Sequence, residues 1–315
     1  MMLTTGFAVA LICAGLMGYA IQSGATCMVY AVSELIEKRR ASRLVAMLEA
    51  GLWVAAALML AALLQNDAVS LASYGASGMT VLGGVLLGLG AYVNGACVFG
   101  SVARLGSGEI GYLITPLGYF LGVKAILAAQ THLPGASTAS LPLPLFLLVV
   151  LAVYAAFRAA RITWGTLRRD RSADAPKLWN PHVATLVIGI TFAVMLLAVG
   201  RWTYPELLSD LAAGNTGNTL WRIFLFAALL LGARLGGMRH GFAVWILPTA
   251  ARIKACPIGG AMMGIGGALI PGGNDGLILI GLPFLMPYAL LALATMITAI
   301  AVAMLGRDRW AKAAS

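Results

Sequence analysis

Long apolar runs divided by short polar stretches set the pattern of this chain. A run of about 20 apolar residues matches the hydrocarbon thickness of a bilayer. On that measure helical spans are predicted at 6–22, 44–64, 110–129 (interrupted by Pro116), 141–157, 183–199, 220–235 and 282–305. Between them, Ser23-Gly24 breaks a helical pattern, because glycine is costly inside a helix. The segment SELIEKRRASR at 33–43, with a basic end, predicts a short interfacial helix. The stretch 201–219, with Glu206 and Asp210, reads as a polar loop.

Two more apolar runs are rich in glycine and interrupted by polar residues. One is LGGVLLGLGAYVNGACVFGSVARLGSG at 82–108, and the other is IGGAMMGIGGALIPGGNDGLILIG at 258–281. A shift of 176 positions superposes Gly83 on Gly259, Gly84 on Gly260, Gly88 on Gly264, Gly90 on Gly266 and Gly100 on Gly276. Five coincident glycines at one offset predict two related halves, each with a broken membrane segment. The first half covers 1–157, a basic cytoplasmic linker follows at 158–181, and the second half covers 182–315.

Composition agrees with this pattern. With 61% hydrophobic residues, 10% charged residues and a mean hydropathy of +0.92, the chain lacks the charge needed to cover a soluble domain. The expected class is an all-α polytopic membrane protein of two inverted repeats, with eight or nine transmembrane helices plus short re-entrant or broken ones. The N-terminus has no basic region ahead of its apolar run and reads as a retained first helix. A formal charge of +10 in a soluble chain would suggest nucleic acid, but no nucleic-acid motif is present. The basic residues gather instead at 38–43, 158–177 and 307–312, where they are expected to face the cytoplasm. Four crossings between successive clusters satisfy that placement and make the two glycine segments run in opposite directions, with a site where the breaks meet.

Glycines spaced as in GGVLLG and GGAMMG let membrane helices approach closely, and this accounts for Gly84, Gly88, Gly260 and Gly264. It does not account for the polar breaks, Asn94 to Ser101 and Pro271 to Asp275. Backbone that leaves helical geometry within a membrane must line a cavity or pack in protein. There its free N–H groups suit an anion.

Cys97 sits at the first break, beside Gly95 and Gly100, and Cys27 follows the earlier break at Ser23-Gly24. Each is either a packed thiol or a contact for a sulfur-containing solute. Arg104 is either a snorkelling helix-end arginine or an attractor for an anion, and the two roles are compatible. Arg239 and His240 pose the same choice in the second half. At the second break, Gly272, Gly273, Asn274 and Asp275 bring a carboxylate toward mid-membrane, which is costly and points to function unless the loop reaches water. No catalytic motif stands out, the four cysteines form no C-x-x-C pair, and the three histidines are scattered. Neither an enzyme nor a cofactor is expected.

The residues GLMGYAIQSGATCMVYAV (15–32), GLGAYVNGACVFGSVARLGSGE (88–109) and GGAMMGIGGALIPGGNDG (259–276) together resemble the YeeE/YedE-type sulfur transport family. The resemblance implies uptake of thiosulfate, or a related sulfur or selenium compound, through the bacterial inner membrane. It also implies relay of the anion between cysteines by S–H hydrogen bonds, with Cys27 and Cys97 in that role. The family's third cysteine falls on Gly273, where this chain departs, and Cys256 is no obvious replacement. A small TusA-type sulfur carrier is the implied cytoplasmic partner, with the basic linker as one docking surface. The departure at Gly273 keeps a rival expectation open, a membrane sensor or partner-binding protein with this fold and no flux.

Overall fold

The protein is described by a computed structural model that covers residues 2–65, 71–129, 136–139, 152–161, 164, 178–217, 219–242, 244–270 and 273–313. It is helical but for one antiparallel pair of four-residue strands among the described residues, β1 (Leu71–Tyr74) and β2 (Ala136–Ala139). The described residues hold seven helices long and apolar enough to cross a membrane, or eight if one bent pair counts as a span. The chain is a multi-pass membrane protein. Of the predicted span at 141–157, residues 141–151 lie outside the described residues, and 152–161 are helical (α7).

In the first half, α1 (Met2–Gly24) ends where Ala25 takes the left-handed conformation, with φ 48°. The chain restarts as α2 (Met28–Lys38) and then α3 (Ser42–Gln65). The short helix expected at 33–43 therefore begins five residues earlier. Cys27 starts it from extended backbone, and Arg39 ends it at φ 51°. Helix α4 (Gly78–Asn94) stops at Gly95, which at φ 76° adopts a turn that favours glycine. Then come α5 (Val98–Gly106), a 3₁₀ turn (Ile110–Leu113) and α6 (Ile114–Ala128). Pro116 falls in the first turn of α6, where a missing N–H costs nothing, so it marks a helix start and not a kink.

In the second half, α8 (Pro181–Val199) is capped by Asn180, whose side chain accepts from the His182 N–H. The stretch expected to be a polar loop folds instead as α9 (Tyr204–Ala212), capped by Thr203, which accepts from the Glu206 N–H. Next are α10 (Thr219–Arg239) and α11 (Ala250–Leu269). A segment bent by 44° from α11, α12 (Gly273–Gly281), closes in a π-type turn, and α13 (Pro287–Ala313) ends the described chain. Each of the first six helices thus has a counterpart about 176 positions later, α1 with α8 through to α6 with α13.

Glycines set how closely these helices pack. Side chains added at Gly84 or Gly88 would strike α13 at Thr295 and Ala299. Side chains at Gly260 or Gly264 would strike α6 at Thr115 and Tyr119. A second stripe seals α4 against α11, with Gly90 meeting Gly259 and Gly83 meeting Gly266. These two contacts exchange into each other under the 176-position shift, and they make α4 and α11 antiparallel. Bare backbone at such crossings gains dispersion contacts that lipid cannot match.

A charged clamp ties α7 to α3 and α8. Glu49, only 6% exposed, takes Arg158 on one carboxylate oxygen and His182 Nδ1 on the other, the latter at 2.8 Å. Most of the basic linker, residues 165–177, lies outside the described residues.

Candidate functional site

The sequence dictates that α2 and α5 both start at a cysteine, since each follows a break that leaves the first backbone N–H groups unpaired. The structure brings those two starts together. The Met28 N–H donates to Cys97 Sγ at 3.2 Å, and the Gly100 N–H also faces that sulfur. Cys27 faces Cys97 and the N–H groups of Val29 and Tyr30. All four cysteines are free. A β-carbon built at Gly100 would overlap the Cys27 sulfur, so only glycine lets α5 come this close.

Asn94 holds the break open. Its Nδ2 donates to the Ala96 carbonyl at 2.7 Å and to Ser101 Oγ at 3.0 Å, while its Oδ1 accepts from Thr115 Oγ1 at 2.9 Å. It is fully buried, so these partners replace the water its amide would otherwise bind. Arg252 at the start of α11 donates to the Asn94 carbonyl at 2.7 Å, placing a cation at the negative C-terminal end of α4. Its guanidinium lies 5.1 Å from the Tyr112 ring centre.

Above the cysteines lies a cavity of about 520 Å³, whose lining includes Cys27, Gly95, Gly100, Arg104, Arg252 and Arg307. Arg104 pairs with Glu109 at 2.8 Å and leaves half of its side chain exposed. Gln22 closes one wall by donating to Ser107 Oγ at 2.9 Å. His240 Nε2 meets Ser23 Oγ at 3.0 Å, and burial, with Arg239 beside it, holds the imidazole below the ordinary histidine range. Arg239, its neighbour, closes the last turn of α10.

The second break presents different groups. Gly273, at φ 60°, opens α12, and a β-carbon there would come within 3.1 Å of Asp275 Oδ1 and 3.4 Å of the Tyr119 hydroxyl. Asn274 and Asp275 are buried, with relative exposures of 0% and 1%. Pro271 and Gly272 lie outside the described residues. The Tyr204 hydroxyl links the two breaks by donating to the Val98 carbonyl at 2.9 Å, one residue past Cys97.

Cys27, Cys97, Gly95, Gly100 and Arg104 therefore converge, while Gly273, Asn274 and Asp275 form a separate cluster behind Tyr204. Cys256 is fully buried in a small group with Ala96, Leu105 and Tyr112, beside Cys27 and away from Gly273. Sequence reasoning passed over Asn94 as more than a break marker, and it passed over Arg252, Tyr119 and Tyr204. Of these only Asn94 carried a local signal, as a polar residue before glycine in an apolar run.

Free thiols ringed by N–H groups, with guanidinium groups above them, suit a small, soft, sulfur-bearing anion. No group of three or more His, Cys, Asp or Glu side chains among the described residues is placed to hold a metal ion.

Comparison with known proteins points the same way. The chain is 26% identical over 307 residues to the thiosulfate transporter TsuA of Escherichia coli (strain K12), an alignment covering 84% of each chain. A family model described as sulphur transport matches residues 23–302, a stretch that takes in both breaks and every helix from α2 to α12. The chain belongs to the YeeE/YedE sulphur transport family.

Proposed function

We propose that this protein carries thiosulfate, or a closely related small sulfur-containing anion, across the bacterial inner membrane, and that it is a transporter and not an enzyme. The observation that carries the reading is the convergence of Cys27 and Cys97, 70 positions apart in the chain, beside a cavity lined by Arg104 and Arg252. The guanidinium groups draw the anion on from the constriction toward the cytoplasmic exit by long-range attraction. At the constriction the thiols and the freed N–H groups of α2 and α5 replace its water shell one contact at a time. Gly95 and Gly100 leave the room to pass. The name of the Escherichia coli relative supports thiosulfate as the substrate.

The matching of elements at 176 positions and the antiparallel α4 and α11 support two inverted repeats, 1–157 and 182–315, joined by the basic linker 158–181. In that arrangement the route joins the cysteines, past Tyr204, with Gly273, Asn274 and Asp275. Basic clusters at 38–43, 158–177 and 307–312 support a cytoplasmic opening for the cavity. A TusA-type sulfur carrier docked on the basic linker would receive the anion there.

The test is uptake of labelled thiosulfate into cells lacking other sulfur importers. A contact worth about 1.4 kcal/mol in the limiting barrier changes the rate about tenfold. Cys97→Ala is expected to lose on the order of tenfold or more, with Cys97→Ser in between. Wild-type uptake in the alanine variant would sink the thiol constriction. Absence of uptake by the purified wild type in proteoliposomes would sink transport itself.

A further inference from the structure

Between Gly273 and the α9 helix lies a set of buried polar groups that the cysteine constriction does not use. Among the described residues, neither side-chain atom of Asn274 has a hydrogen-bond partner. The same holds for Asp275 Oδ1 and Glu206 Oε2. Orphaned polar atoms are rare in native interiors, and several at one place call for a partner that the protein itself does not supply. The groups facing Asp275 come from two elements. They are Tyr119 of α6, and Thr203, Tyr204 and Glu206 at the start of α9. Beyond Tyr204, Cys97 is the next titratable group.

The nearby described cations are engaged elsewhere. Arg201 pairs with Glu206, and Arg222 pairs with Asp210. Asp275 itself, 1% exposed, forms no ion pair among the described residues. An ionised carboxylate removed from water without a counter-charge is among the costliest things a membrane interior can hold, so such groups are paired, neutral, or titrate as part of function. An ionised Asp275 would also repel an anion at the neighbouring thiols, whereas a neutral one offers it a hydrogen bond.

We propose that Asp275 is a proton-binding site that is loaded and emptied in each transport cycle, so that the anion moves together with a proton. This inference rests on the anion-transport reading. The proton enters past the Arg201–Glu206 pair, where the arginine side chain is 34% exposed, and binds a carboxylate oxygen of Asp275. The loaded carboxyl no longer opposes an anion at Cys97. After the anion leaves, the proton departs, the carboxylate is restored, and no bond other than O–H has formed or broken. Asn274 and the Thr203 hydroxyl are the neutral hydrogen-bonding groups that receive the carboxyl in its two states.

Two measurements on the full-length protein test this. Infrared difference spectra of the purified protein are expected to show the C=O stretch of a protonated carboxyl, abolished in Asp275→Asn. Absence of that band, or its persistence in the variant, overturns the proton site whatever the flux. In proteoliposomes, wild-type thiosulfate uptake is expected to accelerate when the outside is made acid. Asp275→Asn, permanently neutral, is expected to lose the response of uptake to the gradient. A wild type driven by a sodium gradient and indifferent to pH also overturns the proposal. The infrared band together with absent thiosulfate flux would reject the sulfur-anion reading and leave the proton site standing.

Discussion

The two breaks of this molecule occupy matching places in the chain and solve different problems. At the first, Cys27 starts α2 and Cys97 starts α5; 176 positions on, Thr203 starts α9 and Gly273 starts α12. At the first break the buried polar residue, Asn94, is partnered through both its amide and its carbonyl oxygen. At the second, Asn274 and Asp275 are left with open valences. A satisfied network makes a rigid frame, so the first break suits a fixed constriction. An unsatisfied one leaves groups open to a proton or another hydrogen-bonding partner, which fits the proton site proposed at Asp275. The order of helices recurs at 176 positions while the side chains at the breaks differ, so similar backbone carries two different chemistries.

The largest effect should come from the packing that holds both breaks in register. Gly90 and Gly266 are matching positions in the two halves, and each meets backbone of the facing helix, at Gly259 and Gly83 respectively. A leucine at either has nowhere to go, because the obstacle is main chain and not a side chain that can rotate away. Gly90→Leu and Gly266→Leu are both expected to yield no monodisperse folded protein on size exclusion. Gly214→Ala is a gentler control, since nothing lies within 4 Å of a side chain there, although its φ of 80° carries some strain. If only one of the pair fails, the equivalence of the two halves at this crossing is wrong.

The spans and the first break were legible because each rests on local pattern. Apolar runs located α1, α3, α8 and α10 within a few residues, the last run stopped eight residues short of the end of α13, and Asn94-Gly95 marked the end of α4. Helix α9 was hidden, as nine residues with Glu206 and Asp210 look like a loop when judged by polarity alone. Its start was nevertheless written in Thr203-Tyr204-Pro205-Glu206, a capping residue followed by proline and then glutamate in the first turn. The start of α2 was missed for the opposite reason, since cysteine is not a usual capping residue. Among the site residues, Cys27 and Cys97 could be paired through the family resemblance. The Arg252–Asn94 contact spans 158 positions, and no local signal in one chain reports such a meeting.

The frame around the first break can be loosened without touching the thiols. Asn94→Ala removes three hydrogen bonds and takes the Asn94 partner from the Thr115 hydroxyl and the Ala96 carbonyl, while Ser101 Oγ keeps its bond to the Cys97 carbonyl. A net loss of about 1 kcal/mol per bond, more where a partner is orphaned, gives about 2–4 kcal/mol. Thermal denaturation in detergent should show a clearly lower midpoint, with uptake reduced less than in Cys97→Ala. Thr115→Val, which removes one of the three bonds, should fall between wild type and Asn94→Ala. A midpoint unchanged in Asn94→Ala would mean that the first break is not the rigid member of the pair.

The smallest expected effect asks whether the second break is built on backbone conformation or on its side chains. Gly273 sits at φ 60°, where an L-residue pays about 1–2 kcal/mol, and an added methyl would press on Asp275 Oδ1. Gly276, three residues on in the same segment, has φ −61° and open space where its side chain would be. Gly273→Ala should therefore lower the thermal midpoint modestly. Gly276→Ala should hold or raise it, since alanine restricts the unfolded chain more than glycine does. The pair separates strain from polarity because neither change alters a charge or a hydrogen-bonding group. If both variants behave alike in the melt, the turn at Gly273 is not what orients Asn274 and Asp275. Their orientation would then be set by the contacts of α9 and α6 alone.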